Sequence, residues 1–166
     1  MFESRHEMEV DMPADLTARN IRTIDQFLEL FARAIFASGL SWAVVDRNWA
    51  AIRLAFGRFS AVDVAALTNR DIERLCATPG VIGNQRKIAA VGRAAQLLVE
   101  RKAEFGSVGR WIQSLGDFPD QQDGLRSIPF IGPFGAYYVL SVAGFAVPDY
   151  ETWFNEYGPA STRRAG

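Results

Sequence analysis

The chain has 166 residues, of which 49% are apolar and 22% charged, and its formal net charge is −1. This length and composition predict one soluble domain, and the near-neutral charge counts against a nucleic-acid binder, because such proteins are usually basic. One cysteine, Cys76, and one histidine, His6, exclude an internal disulfide and leave almost no ligands for zinc. We therefore expect no metal and no other cofactor.

The first twenty residues are polar and acidic, and they lack the apolar core of a signal peptide. No apolar run approaches the roughly 18 residues that a membrane span requires. We therefore predict an irregular arm over residues 1–20, a helical domain over 21–159 and a disordered tail over 160–166. The expected protein is a cytoplasmic monomer without membrane contact.

The first half of the domain has helical spacing. Apolar residues recur at steps of three and four from Ile21 to Phe56, which predicts two helices separated at Gly39. Two pairs then resemble capping boxes with aspartate in the usual glutamate position, at Ser60–Asp63 and Thr68–Asp71. A turn is predicted at Pro79–Gly80.

The second half continues in helices. A long helix is predicted over Asn84–Phe105, with one apolar face and a stop at Gly106. A short helix runs from Ser107 to Leu115, and residues 116–124 read as a loop that holds at most a turn of helix. No alternating strand pattern occurs. The chain therefore predicts an all-α domain of about seven to nine short helices.

The segment SIPFIGPFGAYYVL, residues 127–140, places two prolines and two glycines within seven positions, directly before an apolar helix. Such a turn can present backbone N–H groups at a helix start, where the helix dipole also attracts an anion. Glycine admits a phosphate closely, and Pro133 suits the first helical turn. The alternative is a plain interhelical turn. The candidate DNA-binding residues here are Phe130, Ile131, Gly132 and Gly135.

A local basic cluster lies at the start of the long helix. Arg86, Lys87 and Arg93 have no acidic residue near them between Glu73 and Glu100. These cations are interpreted either as a solvated helix start or as phosphate contacts, and Lys87 is a further DNA-binding candidate.

Several motifs in order resemble one enzyme family. They are Gly39-Leu40-Ser41-Trp42, F-x-x-x-D-V-A-x-L from Phe59, D-I-E-R-L, G-V-I-x-N-x-x-K-I and the glycine-rich turn. The set, spanning about Phe27 to Asp149, resembles the helix-hairpin-helix DNA glycosylases and among them the 3-methyladenine DNA glycosylase I family. The resemblance implies a helical glycosylase-like bundle. It also implies hydrolysis of the N-glycosidic bond of an alkylated adenine flipped out of duplex DNA.

The resemblance also implies a base pocket. Trp42 matches the segment beside that pocket and is the candidate to stack on the base, with Ser41 and Tyr138 as further base-binding candidates. The alternative for Trp42 is a core position, because its spacing with Val45 and Trp49 is helical. Two family features are missing, namely a base-reading glutamate, replaced here by Ala34, and the N-terminal zinc ligands.

Two carboxylates near the last helix are candidate catalytic groups. Related glycosylases carry an aspartate after the helix that follows the hairpin, and Asp149 stands near that position, with Glu151 in reserve. A carboxylate there could stabilise an oxocarbenium-like transition state or orient water. Asp149 also fits a helix N-cap, and the two roles are compatible. Three functions follow, namely a glycosylase, a non-catalytic module that binds DNA or a damaged base, and a helical adaptor.

Overall fold

The computed structural model describes residues 12–13 and 15–158. Over these residues the chain forms α-helices and one 3-10 turn, without a strand, which confirms the predicted all-α class. The elements are α1 (Ile24–Ala37), α2 (Trp42–Ala55), the 3-10 turn (Gly57–Phe59), α3 (Ala61–Ala65), α4 (Asn69–Ala77), α5 (Gln85–Phe105), α6 (Val108–Ser114), α7 (Phe118–Leu125), α8 (Pro133–Val142) and α9 (Tyr150–Tyr157).

Helix α1 is a largely buried helix of the core. It starts three residues later than the periodicity predicted, because the Thr23 hydroxyl accepts from the Gln26 N–H and the Gln26 side chain accepts from Thr23 in a capping box. Its core side chains are buried on more than one face, since α5 and α8 both pack against it. The buried set includes Phe27, Leu28, Phe31, Ala34, Ile35 and Phe36.

Helix α5 is the scaffold against which α1, α3, α4 and α6 pack. Its predicted apolar face is confirmed, because Ile88, Val91, Ala95 and Leu98 are all fully buried. The predicted stop at Gly106 is also confirmed, with a left-handed φ of 87° that glycine adopts without strain.

The two predicted capping boxes have different outcomes. Thr68 and Asp71 form theirs, with reciprocal bonds of 3.2 and 2.9 Å. Ser60 makes no capping bond, so that prediction was wrong. The N–H of Ala61 instead donates to Asp25 of α1 at 2.8 Å, because the left-handed turn at 57–59 folds α3 back against α1.

The segment 116–124, read as a loop, forms most of helix α7 instead. Its two consecutive glutamines are buried and hydrogen-bonded. Gln121 donates to the Gly116 carbonyl at 2.8 Å, and Gln122 accepts from the Trp153 indole at 2.7 Å. Buried amides with partners can belong to a helix interior, and sequence alone did not show those partners.

The described end of the predicted N-terminal arm is irregular and held against α8. The Arg19 N–H donates to the Val142 carbonyl at 2.7 Å, and the Ser141 hydroxyl donates to the Leu16 carbonyl at 3.1 Å. The rest of the arm and the whole of the predicted tail lie outside the described residues. Within the described part, none of the helices is long and apolar enough to cross a bilayer.

Candidate active site

The hairpin turn ahead of α8 combines buried anchors with an exposed tip. Ile128 and Ile131 are buried, and the Ile131 N–H donates to the Ile128 carbonyl at 3.1 Å. Phe130 between them is 37% exposed and has a φ of 67°, a left-handed conformation that costs a non-glycine residue about 1–2 kcal/mol. Phe130 is therefore an exposed, projecting apolar side chain on a strained backbone.

Gly132 stands at the N-cap of α8, with Pro133 in the first turn. No side-chain cap from the described residues satisfies this helix end, and a Cβ on Gly132 would meet nothing within 4 Å in the described part of the chain. The start of α8 is therefore an open, electropositive helix terminus that an anion can approach. Gly135 differs, because it faces inward onto α1.

Trp42 begins α2 and contacts the hairpin helix directly. Ser41 caps α2 by accepting from the Ala43 N–H at 3.2 Å, which fixes where Trp42 emerges. The Trp42 ring lies 4.7 Å from the Tyr138 ring and 5.8 Å from the Phe134 ring, centroid to centroid. Trp42 is only 5% exposed. The base-stacking candidate is thus a packed residue that joins α2 to α8.

The adjacent tyrosines of α8 are both buried, including Tyr138, which the sequence analysis named as a base-binding candidate. Tyr138 points toward Trp42, and burial raises the pKa of its phenol. Tyr137 points toward α9 and donates to the Pro148 carbonyl at 2.9 Å. Burial, and then the nearby Asp149 charge, raise the pKa of Tyr137. The two phenols therefore connect α8 to two different parts of the site.

Asp149 is the N-cap of α9, as predicted. Its two carboxylate oxygens accept from the Thr152 N–H at 2.9 Å and the Thr152 hydroxyl at 3.0 Å. These bonds, the backbone one first, lower the pKa of Asp149, so the carboxylate is ionised at neutral pH. Asp149 is exposed, and Glu151 is exposed in the first turn of the same helix.

An aromatic cluster links Trp42 to α9. Phe134 lies 6.3 Å from Tyr150 and 5.6 Å from Trp153, while Tyr137 stacks on Trp153 at 4.9 Å. Sequence reasoning missed these linkers. The signal was present in YETWFNEY, where Tyr150, Trp153 and Tyr157 recur at helical spacing, but nothing local showed what they pack against.

A half-buried ion pair beside Trp42 was also missed. One turn after Trp42, Asp46 accepts from Arg33 of α1 at 2.6 Å. The Arg33 guanidinium lies 4.5 Å from the centre of the Trp49 ring, whose indole N–H donates to Glu29 at 2.9 Å. The pair fixes α2 against α1 on the side that carries Trp42.

Comparison with known proteins gives the family. A family model described as methyladenine glycosylase matches residues 20–129, which is more than half of the chain. The chain belongs to the methyladenine glycosylase family. The match includes Trp42 and Lys87 and reaches into the hairpin at Pro129, so the resemblance seen in the sequence is confirmed.

Relatives of known structure share the fold. A 3-methyladenine DNA glycosylase I from Staphylococcus aureus superposes with a TM-score of 0.68 at 22% identity, over 77% of this chain and 80% of that one. A solution structure of a 3-methyladenine DNA glycosylase I gives a TM-score of 0.66 at 21% identity, over 89% and 87%. DNA-3-methyladenine glycosylase 1 of Escherichia coli strain K12 is 39% identical over 69 residues, which are 40% of this chain and 37% of that protein.

At the position of the family's glutamate, Ala34 is 3% exposed on α1. A Cβ on Gly135 of α8 would lie 3.4 Å from the Ala34 Cβ. The two helices therefore approach closely at small residues where the resemblance placed a base-reading acid. Within the described residues, no group of three or more His, Cys, Asp or Glu side chains is arranged to hold a metal ion.

Lys87, interpreted from sequence either as part of a solvated helix start or as a phosphate contact, requires a correction. It is only 6% exposed, and its ammonium donates to the carbonyls of Phe36 at 2.8 Å and Ser38 at 2.6 Å. Desolvation by burial lowers the pKa of Lys87. The interpretation as a solvated helix start was wrong for this residue, because its stem points into the interface between α5 and α1. The neighbouring Arg86 is exposed.

Proposed function

We propose that this chain is a DNA glycosylase that hydrolyses the N-glycosidic bond of an alkylated, 3-methyladenine-like base in duplex DNA. The observation that carries the proposal is the direct contact of Trp42 with the hairpin helix, at 4.7 Å from the Tyr138 ring. It couples a candidate base-stacking ring to the helix whose start can hold the phosphate. Membership of the methyladenine glycosylase family supports the reaction class.

The DNA contact in this proposal is made by the hairpin tip. The open start of α8 at Gly132 binds a phosphate through backbone N–H groups, which needs no side-chain charge and so suits a chain of net charge −1. Phe130 lies against the sugar or a base edge beside that phosphate. Ile131 and Gly135 hold the turn from inside, and Lys87 leaves the list of DNA contacts.

Base recognition in this proposal centres on Trp42 and Tyr138. The flipped base stacks on the indole after the packing around this ring, which is 5% exposed, opens, while the buried Tyr138 contacts the indole from α8. Ser41 acts indirectly, because its hydroxyl caps α2 and sets the position of Trp42.

The chemistry requires water and one anion. An N-alkylated adenine carries positive charge in the nucleotide, so breaking the C1′–N bond releases a neutral base together with the bonding electron pair. The oxygen of water forms the new bond to C1′ and its proton passes to solvent. Asp149, ionised and exposed at the start of α9, stabilises the oxocarbenium-like sugar, with Glu151 as the second carboxylate at this helix start.

The deciding experiment is incubation of the protein with methylated duplex DNA, followed by chromatography of the released bases. Time-dependent release of free 3-methyladenine above the protein-free control is the expected result. Absence of release from every alkylated duplex, at enzyme concentrations above the DNA, would exclude the glycosylase.

The second candidate function is a module that binds DNA or a damaged base without hydrolysis. The contact between Ala34 and Gly135 favours it, because no carboxylate stands at that point to read a base. Binding to alkylated duplex without base release, lost at high salt, would identify this function. In either case we expect a cytoplasmic monomer whose partner is double-stranded DNA with a damaged base.

A further inference from the structure

Lys87 joins the start of α5 to the end of α1. Its ammonium lies within hydrogen-bond distance of two main-chain carbonyls, those of Phe36 at 2.8 Å and Ser38 at 2.6 Å. The last carbonyls of a helix have no partner within that helix. Lys87 therefore satisfies the C-terminal end of α1, while Asn84 caps its own helix by accepting the Lys87 N–H at 3.1 Å.

The electrostatics favour this link at one end only. In the first turn of α5 a cation meets the positive end of the helix dipole, which is unfavourable. At the C-terminus of α1 the same cation meets the negative end. The bond to α1 thus compensates for both the burial of the charge and its place in α5.

The residue type matches this geometry. Lys87 and Lys102 are the chain's two lysines among 18 lysines and arginines. A compact ammonium on a flexible stem can donate to two converging carbonyls, whereas a planar guanidinium is suited to a flat, forked acceptor. Lys102 is exposed in the last turn of α5, so it offers a natural comparison.

The carbonyls that Lys87 holds lead directly to the base-binding segment. After Ser38 come Gly39, with a left-handed φ of 68°, and Leu40, whose N–H donates to the Ala37 carbonyl at 3.0 Å. Ser41 then caps α2, and Trp42 is its first residue. Because only three residues separate Ser38 from Trp42, a shift of the Ser38 carbonyl is transmitted to the indole.

We propose that Lys87 is a positioning residue, which holds the turn at 38–41 so that Trp42 presents its indole to the flipped base. The proposal rests on the proposed function for its consequence in catalysis. The placement of Trp42 itself can be measured without any activity.

The experiment compares Lys87→Met, which keeps the length of the stem but removes the charge, with Lys102→Met as the matched control. Each protein is labelled with 5-fluorotryptophan, and the Trp42 resonance is assigned with Trp42→Phe. In Lys87→Met the Trp42 fluorine resonance is expected to shift or broaden while that of the distant Trp111 stays. Base release should fall roughly 10- to 100-fold in kcat, with the affinity for undamaged duplex unchanged. Lys102→Met should match wild type in all three measurements.

A purely structural role would lower the unfolding midpoint and leave the Trp42 resonance and the kcat of the folded fraction at wild-type values. That result overturns the proposal. If wild type releases no base, the proposed function fails, while the fluorine spectrum still tests the position of Trp42. Should Lys87→Met not fold, Lys87→Arg is measured in the same way. A displaced Trp42 resonance supports the proposal, and a wild-type resonance with wild-type kcat overturns it.

Discussion

The Cβ of Ala34 on α1 lies 3.4 Å from the position that a Cβ on Gly135 of α8 would take. This close approach of two small residues brings α8, the hairpin helix, against α1, the core helix. The contact lies two residues after Pro133, the first residue of α8. It also places a buried alanine where the resemblance placed a base-reading glutamate.

Replacing Ala34 with glutamate should therefore not restore that acid. The carboxylate would be buried where α1 meets Gly135 of α8, so we expect a loss of roughly 3 kcal/mol or more in the free energy of unfolding. Urea denaturation followed by circular dichroism measures it. Ala50→Glu, on the exposed side of α2, is the control and should change stability by no more than about 0.5 kcal/mol. A stable Ala34→Glu with raised base release would show that the α1–α8 contact opens readily.

Gly132→Asp should weaken duplex binding at least about tenfold at low salt, because a carboxylate at the start of α8 repels the phosphate. The fold should survive, since a Cβ on Gly132 meets nothing within 4 Å in the described structure. Gly132→Asn introduces a neutral side chain of nearly the same size as aspartate, so it separates the effect of charge from that of bulk. Its duplex affinity should decrease much less than that of Gly132→Asp. Titration of labelled duplex by fluorescence anisotropy provides the test. Wild-type affinity in a folded Gly132→Asp would remove the hairpin from the interface.

Phe130→Gly should relieve the left-handed strain. The free energy of unfolding should therefore stay unchanged or rise by up to about 1 kcal/mol. Loss of the projecting ring should lower duplex affinity about tenfold. Phe59 provides the contrast, because it is also left-handed at a φ of 57° but fully buried. Phe59→Gly should cost roughly 3–5 kcal/mol. If Phe130→Gly destabilises as much as Phe59→Gly, the exposed ring contributes to folding.

Asp149→Asn should reduce base release by about a hundredfold or more, because the charge that stabilises the sugar cation is lost. Asparagine still caps α9 by accepting from Thr152, so thermal stability and duplex affinity should hold. Single-turnover kinetics on methylated duplex measures the rate. Equal rates in wild type and Asp149→Asn would show that Asp149 caps α9 but does not take part in catalysis. Glu151→Gln would then be the next variant to assay.

Acid should weaken two helix caps in a defined pH window. Hydrogen bonds from Thr68 to Asp71 and from Thr152 to Asp149 hold the pKa of each carboxyl below its ordinary value of 3.8. A group with a lowered folded-state pKa contributes stability above the unfolded-state pKa, and this is lost as pH falls through the folded-state value. We therefore expect the urea concentration at the unfolding midpoint, measured from pH 5 to pH 2, to decrease once the pH drops below about 4. The double variant Asp71→Asn, Asp149→Asn should show a shallower fall, and an unchanged slope would contradict these assignments.

Much of the fold could be predicted from the sequence. The apolar face of α5, the capping box of Thr68 and the cap at Asp149 follow from spacing within one helix, so no distant partner is needed to recognise them. The ordered motifs around Trp42 likewise indicated the family, because motif order is itself a property of the sequence.

The tertiary structure alone decided how the site is assembled. The contact of Trp42 with Tyr138, the capping of α3 by Asp25 and the burial of Lys87 all join residues that lie dozens of positions apart. A basic residue in a helix start reads as solvated until the carbonyls that receive its ammonium are known. Local spacing specifies a helix and the faces it can bury, but only packing determines which polar groups find partners, because an unpaired buried group is costly and a paired one is not.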